Sequence, residues 1–318
     1  MADAASRARV TGRIRQEIDK GNSPVVVVSA MGRRGAPYAT DTLLDLVPGA
    51  QPDISALIVS CGEIISACIV ANNLNAKGIP AKALTAYSAG IKAKGPYDGA
   101  VPAEIMTENL EVLIKAGFVP VVTGFQGVLP DSSIATLGRG GSDTTAVALG
   151  AWLHAEYVDI FTDVPGVAMA DPRIVPEAPF IPYLDYESMV RLSGFGSKVL
   201  QDVSARIAME KKVRVRIRST FDDSPGTVIG PDRDKGHADL AGIAVKEKDA
   251  DTSIVTIVYK AGAGKGQAEK IAERLNAKVI KSCRYAESDP DAVILELPKA
   301  QVKETLQTIL APYIKTAE

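Results

Sequence analysis

Cysteine is scarce in this chain: Cys61, Cys68 and Cys283 make an odd three with no Cys-x-x-Cys among them. Neither a disulfide framework nor a thiolate metal site is indicated. Histidine is scarcer still. His154 and His237 stand alone, with no nucleophile nearby for either to activate, and both read as incidental. Neither sign of charge dominates, since 36 Lys and Arg face 38 Asp and Glu. Nothing therefore argues for nucleic acid or an anionic membrane as a partner. No uninterrupted apolar run reaches the roughly 18 residues of a membrane span, and the polar N-terminus has no signal-peptide core. A cytoplasmic location is the expectation. Internal repeats and low-complexity tracts are also missing. What is present is 46% hydrophobic residues in a chain of 318, enough for a large core and, by length, about two domains.

Periodicity sets out an alternating order of elements. Residues 4–19 space Val10, Ile14 and Ile18 four apart among charges and end at Gly21, which reads as an amphipathic helix. The solid run Pro24-Val-Val-Val-Val-Ser-Ala30 suits a strand covered on both faces. A Gly/Arg/Pro loop comes next at 31–39, and Thr40 or Asp41 can cap a helix at 42–46. Residues 54–77 form a long apolar helix, 81–87 a strand, 102–116 a helix and 119–123 a buried strand, before a hairpin at 125–136. Past residue 153 come a strand at 157–161, helices at 185–194 and 198–210, and a strand at 213–217. This alternation predicts an α/β three-layer sandwich with a mostly parallel sheet. Residues 221–239 turn to Asp, Pro, Gly, Lys and His and read as a linker or an exposed hairpin. Beyond it, strands at 241–246, 253–259, 278–284 and 291–297 with helices at 265–276 and 299–312 predict a small α+β domain. The expected division is thus 1–230 and 240–318.

The most informative stretch is Leu137-Gly-Arg-Gly-Gly-Ser-Asp-Thr144, opening an apolar helix. Gly138, Gly140 and Gly141 can take positive φ and bring backbone N–H groups close to an anion. Ser142 or Asp143 can cap the helix, whose positive end faces the same point. Arg139 supplies a planar fork for a carboxylate or phosphate. A tight turn with a capped helix would read the same way. Glu63 is the other anomaly, a carboxylate among Ile, Val and Cys. It either faces solvent or meets a cation, because burying it unpaired is costly. In sheets of this kind ligands collect at the carboxyl ends of strands, where the loops at 29–42, 123–127, 138–143 and 162–173 are expected.

With these loops in place, residues 22–230 resemble the aspartate kinases of the amino acid kinase superfamily. The stretches that carry the likeness are Val25-Val-Val-Val-Ser-Ala-Met31, Thr40-Asp-Thr-Leu-Leu44, Ser60-Cys-Gly-Glu63 and Gly117-Phe-Val-Pro-Val-Val-Thr-Gly-Phe-Gln-Gly127. The glycine loop, Phe161-Thr-Asp-Val164, Ala170-Asp-Pro-Arg-Ile-Val175 and Val215-Arg-Ile-Arg-Ser-Thr220 continue it. Each is weak alone; their order and spacing are specific. The C-terminal segment is similar to a single divergent ACT-type regulatory module.

The resemblance implies phosphorylation of the side-chain carboxylate of L-aspartate by ATP, with Mg2+ carried on the nucleotide, on the route to lysine, threonine and methionine. It implies that Arg139 holds the α-carboxylate and Glu63 the ammonium of the substrate, that Ser29 and Thr40 line its site, and that Asp143 organises the transfer centre. Thr162, Asp163, Arg173 and Lys198 would meet the nucleotide. An amino-acid effector at the C-terminal module and a homodimer paired through such modules are implied as well. The sequence also departs from the family. The opening Lys-Phe-Gly-Gly-Thr-Ser strand is not in it, and residues 1–7 resemble the family's segment just after that strand, so Met1 is expected to be an internal methionine. Residues 196–203 replace a His-Pro-Arg-like stretch, and Ala-Met stands before Ala170 where a Thr is usual. A kinase-like subunit that binds aspartate or nucleotide without phosphate transfer is the alternative these departures support. A relative with another acceptor is a third reading, against which the Glu63 and Arg139 pairing argues.

Overall fold

The valine run falls in a parallel sheet, as its unbroken apolar character requires. The computed structural model describes residues 4–197, 199–231, 239–275 and 282–314, and the chain divides into two compact units, Met1–Val158 and Asp159–Glu318. The first unit runs α1 (Ala4–Asp19), β1 (Val26–Val28), α2 (Thr40–Leu44), α3 (Pro52–Ala76), β2 (Ala81–Leu84), β3 (Ile91–Lys94), β4 (Val101–Ile105), α4 (Glu108–Lys115), β5 (Val119–Thr123), β6 (Gln126–Val128), β7 (Ile134–Thr136) and α5 (Gly141–Trp152). Strands β1, β5 and β2 pair in parallel with β5 in the middle, Val26 beside Val121 and Ala83 beside Val121 on the other side.

Alternation along these strands builds three layers. Val28, Val119, Val121 and Ala81 point to one face, against Ile14 of α1 and Ala67, Val70 and Leu74 of α3. Leu84 and Val122 point to the other, against Leu110 and Leu113 of α4 and Ala148 and Leu149 of α5. The central strand β5 is buried along its whole length and carries an unbroken apolar run up to Thr123, whereas the edge strand β2 exposes Lys82. A second, mixed sheet, β4-β3-β6-β7, carries the hairpin expected at 125–136.

The second unit takes up β8 (Val158–Thr162) from its second residue and continues with β9 (Tyr183–Asp185), α6 (Tyr186–Gly194), α7 (Asp202–Lys211), β10 (Val215–Ser219), β11 (Thr227–Gly230), β12 (Leu240–Glu247), β13 (Thr252–Tyr259), α8 (Gln267–Arg274), β14 (Ser282–Ala286), β15 (Asp289–Pro298) and α9 (Val302–Ile314). One sheet orders β8-β10-β11-β9; the other, β12-β13-β15-β14, is antiparallel and carries the C-terminal core.

Several expectations need correction. The helix expected over 102–116 starts at Glu108, because Val101–Ile105 pairs with β3 as a strand. The strand expected over 81–87 ends at Leu84. Neither Thr40 nor Asp41 caps α2; Ala39 is its N-cap, with no side-chain bond. Ser142 and Asp143 do not cap α5 either, since Gly140 takes that position in the left-handed conformation, φ 69°. A left-handed residue is strained unless it is Gly, so the cap falls to the glycine. Helix α3, finally, is long and apolar enough to cross a membrane by length and composition, with half of its most apolar window buried inside the protein. The residues expected as a strand at 278–281, Lys198 and His237 lie outside the described residues.

Candidate functional site

Two glycines let the segments of the site approach one another. A Cβ at Gly62 would stand 2.8 Å from the Tyr38 carbonyl oxygen and 2.9 Å from the Ala30 Cβ, so the loop after β1 lies directly on α3. A Cβ at Gly124 would meet Ser142 Oγ at 2.7 Å and the Val28 carbonyl oxygen at 2.9 Å, which brings the ends of β1 and β5 against the first turn of α5. The result is an open cleft of about 560 Å³ at the carboxyl ends of the parallel strands. The expected substrate residues Ser29, Thr40, Glu63 and Arg139 line it, and so do Gly138, Gly140, Gly141, Ser142 and Asp143.

The two anomalies of the sequence therefore share one cavity. Glu63 is only 2% exposed, so the solvent-facing alternative is wrong. Its Oε1 accepts a 2.9 Å hydrogen bond from the Ala30 N–H, and its Oε2 has no protein donor. Burial pushes the Glu63 carboxyl up to about 7, against the lowering effect of that N–H. Asp143, half-buried in the first turn of α5, is pushed up to about 6 by the same desolvation. Arg139 is the one cation among the lining residues and is exposed. The cleft offers a buried carboxylate acceptor, an exposed guanidinium and a helix N-terminus. Such a set grips a zwitterion and leaves room for an anion at the helix end.

Sequence reasoning missed Asp41, Asp98, Phe125 and Thr136, which also line the cleft. Phe125 carries a readable signal in Gly-Phe-Gln-Gly, and the structure gives it a positive φ of 68°, unusual for a bulky residue. Its N–H donates to Thr145 Oγ1 at 3.1 Å and its carbonyl accepts from Leu137 N–H at 2.8 Å. Asp98 sits in a Pro-Tyr-Asp-Gly turn whose pattern says turn and nothing more.

The expected nucleotide residues belong to the second unit. Thr162 closes β8, and its hydroxyl donates to Asp163 Oδ1 at 3.1 Å. Arg173 lies in the loop after it, clasped by Asp171 through Nε at 2.9 Å. Among the described residues no group of three His, Cys, Asp or Glu side chains could hold a metal ion.

A doubly covered parallel sheet with a glycine-rich anion cradle at its carboxyl edge defines a class. The amino acid kinase family profile matches residues 1–219, and the chain belongs to that family. Two relatives of similar sequence are aspartokinases. Aspartokinase 1 of Bacillus subtilis is 43% identical over 231 residues, 71% of this chain and 57% of that protein. The aspartokinase of Mycolicibacterium smegmatis is 34% identical over 313 residues, 96% of this chain and 70% of that protein. Among solved structures, E. coli aspartokinase III in complex with aspartate and ADP shares the fold at a TM-score of 0.80 with 17% identity, covering 98% of this chain and 96% of that one. The chain thus spans between 57% and 70% of the length of these two sequence relatives.

Proposed function

We propose that this chain is an aspartate kinase, transferring the terminal phosphoryl group of Mg2+-ATP to the side-chain carboxylate of L-aspartate. The observation that carries the reading is the meeting, in one cleft, of a guanidinium at 139 and a buried carboxylate at 63. Phosphoryl transfer needs positioning and charge neutralisation more than it needs a protein nucleophile. In this reading Arg139 holds the α-carboxylate, and Glu63 Oε2 takes the ammonium. Ser29 and Thr40 border the same substrate. The acceptor carboxylate then points to the first turn of α5, where the backbone N–H groups after Gly140 and the Asp143 carboxyl organise the transferring phosphate. Thr162, Asp163, Arg173 and Lys198 are the proposed nucleotide contacts, with Mg2+ arriving on the phosphates.

Residues 1–230 and 240–318 are the proposed kinase and ACT-like domains, the second a site for an amino-acid effector. A cytoplasmic setting and a place in lysine, threonine and methionine biosynthesis follow from the resemblance to aspartate kinases. The deciding experiment traps the acyl phosphate: with Mg2+, ATP and L-aspartate, hydroxylamine should yield aspartyl hydroxamate. Calorimetric binding of aspartate or nucleotide with no trapped product would overturn the kinase reading in favour of a ligand-binding subunit.

A further inference from the structure

Helix α3 changes character along the face it turns to the sheet. Ala67, Val70 and Leu74 meet Val119, Val121 and Ala81 in an apolar core. Toward the cleft the same face carries Ser66, Glu63 and Ser60, spaced three apart and therefore stacked on one side of the helix. They are 0%, 2% and 1% exposed. The strand opposite changes in step. Thr123 ends β5, follows Val119 and Val121 on the α3 side by strand alternation, and is 1% exposed. Just beyond it, Gln126 Nε2 donates to the Ser60 carbonyl at 3.1 Å. A buried polar seam thus lies beneath the cleft.

Part of this seam is satisfied within the protein. Ser60 Oγ donates to the Leu57 carbonyl at 2.7 Å, the local bond that a helical serine ordinarily makes. Ser66 makes no such bond. Ser66 Oγ, Thr123 Oγ1 and Glu63 Oε2 are all buried without a protein partner. Leaving a buried hydroxyl unpaired is costly, and Ala and Val would fill the same space without that cost. Two hydroxyls beside a buried carboxyl therefore call for a role.

We propose that Ser66 and Thr123 are positioning residues for Glu63: their hydroxyls donate to its carboxylate when it ionises and hold the anion ready for an ammonium group in the cleft. That the ammonium is aspartate's rests on the aspartate kinase reading. A carboxylate offers about four acceptor sites. The Ala30 N–H takes one, on Oε1, and the two hydroxyls take two more. The last faces the ligand. Burial, which pushes Glu63 up to about 7, keeps the carboxyl neutral below that pH, and a hydroxyl can rotate to meet the charge as it forms. Arg139, Asp41, Asp98 and Asp143 line the same cleft. Strands β1, β5, β6 and β7 bring no charged residue to it, and Arg15 of α1 is held by the Lys77 carbonyl at the far end of α3.

Thr123→Val removes one hydroxyl and keeps the shape. In urea unfolding of the ligand-free protein it is expected to be less stable than the wild type near pH 8. Near pH 5 it should equal or exceed the wild type, because only the ionised carboxylate uses the donor. In a Glu63→Gln background its effect should be the same at both pH values, which sets aside the titration of Asp41, Asp98 and Asp143. Calorimetry then adds the ligand. Thr123→Val is expected to weaken L-aspartate binding about tenfold near pH 7 and to move the midpoint of its pH dependence upward, while Thr123→Ser binds like the wild type. Ser66→Ala repeats both measurements should Thr123→Val fail to fold. A stability effect that is the same near pH 5 and pH 8 overturns the proposal and leaves the kinase reading standing, as does aspartate binding undisturbed by loss of either hydroxyl. A pH-dependent effect in a wild type that binds no aspartate supports the link between hydroxyls and carboxylate and overturns the kinase reading instead.

Discussion

Burial holds the Glu63 carboxyl near 7 instead of the ordinary 4.5, and the sign of the consequence is fixed. Below about pH 4.5 the group is protonated in both the folded and the unfolded chain and costs nothing. As pH rises toward 7 the unfolded chain ionises freely while the folded one must ionise a buried group, so the free protein loses stability across that window. At pH 8 the shift corresponds to about 3 kcal/mol. Glu63→Gln can still accept from the Ala30 N–H, so the variant should be more stable than the wild type by about that amount at pH 8 and equal to it near pH 4. Urea unfolding at the two pH values checks this, and a gain independent of pH would refute it. Asp143 loses stability through its own window, 3.8 to about 6, but in both proteins alike, so it drops out of the comparison. If Glu63 takes the ammonium of aspartate, Glu63→Gln also weakens aspartate binding. Binding by the wild type at pH 6.5 should release protons, seen as a dependence of calorimetric heat on the buffer's ionisation enthalpy.

Arg139 makes the complementary residue-scale prediction. A hydrogen bond to a charged group contributes about 1.5–3 kcal/mol. Arg139→Ala is therefore expected to weaken aspartate binding by about tenfold to a hundredfold and leave nucleotide affinity largely intact. Equal loss of both affinities would mean that the guanidinium serves the nucleotide instead.

At the scale of elements, the site depends on how closely α3 and α5 approach the loops they carry. Gly62→Ala would drive a methyl group to 2.8 Å from the Tyr38 carbonyl oxygen, and overpacking of this kind costs about 1–3 kcal/mol. Thermal unfolding should show that loss, and KM for aspartate should rise because Ala30 and Glu63 move apart. Gly12→Ala is the control. It lies inside α1 with nothing within 4 Å, and Ala there should stabilise by up to about 1 kcal/mol. These elements also mark what the sequence discloses. The long α3, the valine strand and the glycine loop were legible because each carries a strong local signal: length, an unbroken apolar run, or glycines together. Strands β3, β4, β9 and β11 were not. They are three to five residues long, and short strands such as Ile-Lys-Ala-Lys exist only through their pairing partners. The same limit hid Asp98, which reaches the cleft on a turn whose partners are distant in sequence.

At the scale of the whole chain, the second unit crosses the break expected at 230–240. Ala170, Val175 and Ala178 pack in one core with Leu240, Val255 and Leu306, and the Ile243 N–H donates to the Met169 carbonyl at 2.7 Å. Arg191 of α6 meets Asp289 at the start of β15, Nη1 to Oδ1 3.5 Å, with the two side chains 14% and 11% exposed. Arg191 Nε and Asp289 Oδ2 are buried without protein partners, so the pair is imperfectly satisfied and its members depend on each other. Removing one partner strands a buried charge, and Asp289→Ala is expected to cost about 3 kcal/mol. Replacing both, as Arg191→Met with Asp289→Leu, should cost far less, because apolar groups of similar volume avoid the desolvation that the pair endures. A double-mutant cycle measured by denaturant unfolding gives the coupling. Hydrogen exchange then gives its reach: if α6 and the C-terminal sheet unfold together, Asp289→Ala lowers amide protection in α6 and in β13 by the same factor. Protection lost in β13 alone would show instead that the C-terminal sheet opens independently of α6, and that the shared core is contact without cooperativity.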